Sequence, residues 1–132
     1  MMRRIMSWAV LASAAACAAF AMHPRAEAAS APHLYVIEYK PGSAWKPGIP
    51  MNKQALGPHA SYWKRLAAEG RALAAGPYLD IDGGMAIVMA DSIDDARAIV
   101  ASDPAVTIKV FIAELHEWSP RIRGAGDLPR PQ

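Results

Sequence analysis

From His33 to Lys40 the chain reads HLYVIEYK, a run of aromatic and β-branched residues that stops at Pro41-Gly42. A run of this kind bounded by turn residues predicts a strand. Both of its faces are apolar, with Leu34 and Val36 on one and Tyr35, Ile37 and Tyr39 on the other. An antiparallel strand with one wet face alternates more cleanly. Further on the period lengthens. After Pro58, the residues His59, Tyr62, Trp63, Leu66 and Ala67 recur at helical spacing, while Ser61, Lys64, Arg65 and Glu69 fall opposite. This predicts an amphipathic helix of about three turns, ended by Gly70.

Arg71 to Asp80 predicts a second strand, bent at Gly76-Pro77, and Asp82-Gly83-Gly84 is a turn signal leading to a third strand over Met85 to Ala90. Ser92 with Asp95 three residues on is an N-cap pattern, Ile93, Ala96, Ile99 and Val100 form a buried stripe, and Ser102-Asp103-Pro104 ends this second helix. A fourth strand is expected over Val106 to Trp118, with Val110 and Ile112 on one face and Phe111, Ala113 and Leu115 on the other. The order βαββαβ specifies an α+β fold, a four-stranded antiparallel sheet with two helices on one face. The other sheet face would then be a bare apolar surface, so a homodimer packed sheet against sheet is expected.

The remaining stretches lack a period. Residues 41–58, PGSAWKPGIPMNKQALGP, carry four prolines and three glycines and predict a long ordered loop in which Trp45 either anchors the loop or closes over a ligand. Residues 124–132 are expected to be a flexible tail after a domain spanning 29–123. Residues 1–28 have the form of a cleaved signal peptide: Arg3-Arg4, an apolar run from Ile5 to Ala21, and Ala26-Glu27-Ala28 as the cleavage site. A periplasmic or secreted product with no stable membrane association is the expectation. An uncleaved membrane anchor and a lipid-modified Cys17 are the alternatives. Removing this segment changes the charge balance, since of 14 basic and 12 acidic residues the segment holds Arg3, Arg4, Arg25 and Glu27. The remainder is neutral overall, which argues against nucleic acid as a partner. The chain's one cysteine lies in the same segment, so thiolate chemistry leaves with it.

Candidate chemistry gathers around His59, on the inner side of the first helix, and Asp80, at the end of the next strand. A neutral imidazole is a general base, and a carboxylate orients it and stabilises its charged form during proton transfer. Asp82 competes for the carboxylate role, although its place before Gly83-Gly84 suits a turn residue. The bland alternative is that His59 packs under the long loop and Asp80 caps a turn. Tyr62, Trp63, Tyr78 and Trp45 are candidates to line a substrate pocket. His33 and His116 show no metal-ligand spacing, so no metal is expected. Neither a phosphate-binding glycine loop nor a serine-nucleophile motif is present, and no cofactor is expected.

His59 on the first helix, EGR at 69–71, AGP at 75–77, Asp80, GG at 83–84, Asp103-Pro104 and a final strand ending in Trp118 follow one another in an order that resembles the YciI-like (YCII-related domain) family. The resemblance covers about residues 33–123. It implies a ferredoxin-like subunit that dimerises into an α+β barrel, and an active-site His and Asp in a pocket, which by position are His59 and Asp80. It further implies a small-molecule lyase or isomerase using proton transfer, relatives including a dehydrochlorinase and muconolactone isomerases. A non-catalytic small-molecule binding module or a structural dimer is the alternative. The N-terminal segment and the proline-rich loop depart from many relatives.

Overall fold

A computed structural model describes residues 32–124 and residue 126; the signal-peptide, anchor and lipidation readings and most of the predicted tail lie outside the described residues. The elements are β1 (His33–Pro41), α1 (Gly57–Ala68), β2 (Ala72–Pro77), β3 (Gly84–Ala90), α2 (Ile93–Ala101), α3 (Pro104–Thr107) and β4 (Phe111–Trp118), with a single 3-10 turn at Met51–Lys53 inside the long loop. The four strands form one antiparallel sheet in the order β2-β3-β1-β4, with the helices on one face, which is the ferredoxin-like α+β arrangement. Among the described residues no helix is long and apolar enough to cross a membrane.

Register explains which side chains form the core. Tyr35, Ile37 and Tyr39 of β1 stand opposite Val88, Ala86 and Gly84 of β3, and this face is the one the helices cover. Leu66 of α1 and Ile99 of α2 complete it, and each large aliphatic side chain so buried contributes about 1.5–3 kcal/mol. On the open face lie Leu34, Val36, Ile87 and Met89, half-buried by their neighbours, with Ile112 and Trp118 exposed beside Glu38, Lys40, Glu114 and His116. That face is apolar at its centre and mixed along β4.

Two elements differ from their expectations: β2 stops at Pro77 and does not reach Asp80, and the fourth strand starts late. Residues 106 and 107 are helical, and β4 begins only at Phe111, because Asp103 caps a new helix turn by accepting from the Ala105 N–H and Pro104 occupies the first turn, where its missing donor costs nothing. Lys109, at φ 61°, then reverses the chain into β4.

Two glycines hold the end of the sheet near the site. Gly83 has φ 125°, and a Cβ there would collide with the carbonyl oxygen of Tyr39; a Cβ at Gly42 would strike the carbonyl of Lys109. Both close approaches fix the end of β1 between the β2–β3 turn and the start of β4, and Tyr39 is the residue they frame.

Candidate functional site

Asp103 is fully buried and its carboxylate is surrounded by donors. The Tyr39 hydroxyl donates to Oδ2 at 2.7 Å, the Trp63 indole N–H to Oδ2 at 3.1 Å, and the Ala105 backbone N–H to Oδ1 at 2.9 Å. His59 Nδ1 lies 2.8 Å from Oδ1 and 2.9 Å from Oδ2. A carboxylate that already accepts from three other groups is an acceptor, so Nδ1 carries the proton and donates it. In the neutral ring, this tautomer leaves Nε2 with its lone pair. Each partner comes from a different element: Tyr39 from the end of β1, His59 and Trp63 from α1, and Asp103 and Ala105 from the start of α3.

Burial alone would raise the pKa of Asp103, but hydrogen bonds from His59 and Tyr39, the nearby imidazole and the Ala105 N–H outweigh it, and the carboxyl is held below its ordinary value of 3.8. Tyr39 is pushed far up, first by burial and then by the negative charge of Asp103, so its hydroxyl stays protonated and keeps donating. The imidazole is packed by rings: Tyr39 meets it edge-on with centroids 5.3 Å apart, Phe111 at 5.5 Å and Trp63 at 6.3 Å. These contacts fix its orientation.

His59 lies on the wall of a cavity of about 710 Å³ between α1, β2 and the long loop. Most of the wall is apolar, including Trp63, Phe111, Leu73 and Met85. Leu73 is the extra residue of a bulge in β2 and half-exposed, which suits a strand edge that borders a cavity. The loop side is braced by Gln54, whose side chain accepts from the Lys46 N–H at 3.1 Å and donates to the carbonyls of Lys46 and Ile49 at 2.8 and 2.9 Å. Loop 41–58 is thus an ordered wall.

The carboxylate expected beside His59 is a different one. β2 ends at Pro77, so Asp80 sits exposed in the bend before β3, as does Asp82, and His59 bonds Asp103 instead. Of the expected pocket residues, Trp63 is on the wall. Tyr62 turns to the carbonyl of Ile99, donating at 2.7 Å, and Tyr78 is half-buried away from the wall. Trp45 is buried and stacks on Phe111 with centroids 5.4 Å apart, so it anchors the loop one layer behind the cavity. Lys64, expected on the solvent face of α1, is exposed and also lines the cavity. Sequence reasoning missed Asp103 and Tyr39, although Asp103-Pro104 is a legible helix start.

Spacing along the chain also hid one grouping. Antiparallel pairing places Glu38 opposite Glu114, and with His116 their ligand atoms lie within 4.8 Å of one another on the open sheet face. Lys40 binds Glu114 there at 2.8 Å.

Comparison with known proteins agrees with this architecture. A Bacillus subtilis (strain 168) protein called YjpA is 33% identical over 67 residues, which is 51% of this chain and 79% of that protein. The structure of 5-chloro-2-hydroxyhydroquinone dehydrochlorinase (TftG) from Burkholderia phenoliruptrix AC1100, in complex with 2,5-dihydroxybenzoquinone, superposes with a TM-score of 0.50 at 24% identity, covering 65% of this chain and 93% of that one, a likeness of fold. The YCII-related domain is matched over residues 31–119, and the chain belongs to that family.

Proposed function

We propose that this protein is a cofactor-independent lyase or isomerase that moves a proton on a small molecule, with His59 as general base and Asp103 as the residue that positions it. The observation that carries the reading is a buried carboxylate fixed by three other donors and bonded to Nδ1 of an imidazole on the wall of a largely apolar cavity. In the reaction, Nε2 takes a proton from a C–H beside a carbonyl of the bound molecule, and the C–H electron pair moves onto that carbonyl as an enolate. The enolate pair then forms a carbon–carbon double bond as a leaving group on the next carbon departs with its own pair, or the imidazolium returns the proton at another carbon of the enolate. Asp103 stays ionised throughout and stabilises the imidazolium. The fold neighbour named for dehydrochlorination gives elimination a precedent on this scaffold. Incubating the protein in D2O with a panel of small cyclic carbon acids is the test: deuterium incorporation or an elimination product is expected. Saturable binding with neither would mean a binding module.

The functional unit is proposed to be a homodimer joined through the open sheet faces, because Ile112 and Trp118 are exposed there beside the partly covered Leu34, Val36 and Ile87. Light scattering at micromolar concentration should give twice the chain mass, shifted towards the monomer by Val36→Glu. A monomer in the parent protein refutes it.

A further inference from the structure

We infer that the cavity takes an organic anion with an apolar one- or two-ring body, and that Lys64 holds its negative group. This rests on the reading of the cavity as the substrate site. The charge on the wall is one-sided. Among the described residues no Asp or Glu lines the cavity, and its ionisable wall groups are Tyr39, held neutral as a donor, His59 and Lys64. Asp103 lies behind the imidazole, its charge absorbed by four donors.

Lys64 stands in an otherwise apolar stripe. Ala60, Trp63, Lys64 and Ala67 lie at helical spacing on α1 and all face the cavity. The charge on Lys64 is not already used. Among the described residues Lys64 makes no ion pair, whereas the adjacent Arg65 is paired with Glu69 at 3.2 Å and lies over the Tyr62 ring. Its helical neighbours at three and four residues are Ser61, Ala60, Ala67 and Ala68, which offer no carboxylate. Lys64 is solvent-exposed where it borders the cavity, and a lone cation there attracts an anion, while the apolar wall beside it favours a hydrocarbon body.

Volume bounds the ligand: about 710 Å³ accommodates one or two rings.

The experiment compares 1-naphthoate with its neutral isostere 1-naphthamide, using calorimetry for affinity and amide chemical shifts to locate the site. The expected result is that naphthoate binds at least tenfold more tightly at low salt, with shifts in α1 and β2. Lys64→Gln should reduce the preference to about twofold and leave naphthamide affinity unchanged, and His59→Gln should retain it. Equal affinities, a preference that survives in Lys64→Gln, shifts confined to the open sheet face, or no naphthoate binding at millimolar concentration would each overturn the assignment. Because the readout is binding, it stands or falls separately from proton transfer. Failure of the D2O assay leaves the anion preference intact, and loss of the preference leaves turnover of neutral substrates open.

Discussion

Replacing Asp103 with alanine is expected to lower the free energy of unfolding at pH 7 by about 3–5 kcal/mol. The variant strands the Tyr39 hydroxyl and the Trp63 indole N–H in a buried place, removes the partner of His59, and takes away the cap of α3. Each buried donor left without an acceptor costs about 1–3 kcal/mol, and a lost cap about 1 kcal/mol. Asp103→Asn keeps the shape and one acceptor and should cost less. The pH dependence separates charge from shape. Because the folded-state pKa of Asp103 lies below its ordinary 3.8, ionisation contributes stability that is present above that value and lost as pH falls through the folded pKa. The gap between Asp103→Asn and the parent protein should therefore narrow in acid. Urea midpoints at pH 7 and pH 3 measure both effects, and a loss below about 1 kcal/mol for Asp103→Ala would contradict the network.

Replacing His59 with alanine should reduce turnover of any substrate found in the D2O assay by about 10²–10⁴-fold, the range attached to a positioned general base. Stability should change much less. The His59 side chain is 18% exposed in the first turn of its helix, and Asp103 keeps Tyr39, Trp63 and the Ala105 N–H when the ring is gone. Circular dichroism and thermal melting check that the variant is folded. Retained turnover in a folded variant would remove His59 from the chemistry.

The strands and both long helices were legible because each carries its own period: the doubly apolar β1, the helical stripe of Tyr62, Trp63 and Leu66, and the capped α2. The start of β4 was not. Asp103-Pro104 can end a helix or begin one, and only the packed structure, in which Asp103 caps α3 while binding His59, decides between them. The same residue explains the misplaced carboxylate. Asp80 is near His59 in sequence and on the adjoining hairpin, whereas Asp103 is 44 residues away and reaches the imidazole only because α3 packs beside α1. Pairing across such a distance leaves no local pattern. Lys64 is exposed, where hydrophobic spacing placed it, and it also borders the cavity, which spacing along one helix does not reveal.

Proton transfer at Nε2 requires Asp103 to be an ionised acceptor that keeps the proton of His59 on Nδ1. Long-range ¹H–¹⁵N correlation of the His59 ring, in uniformly labelled protein at a pH where the ring is neutral, reads the tautomer directly. A proton-bearing Nδ1 with an unprotonated Nε2 is the predicted result. A proton on Nε2, with Nδ1 accepting from a protonated Asp103, would contradict it and leave no base on the cavity wall.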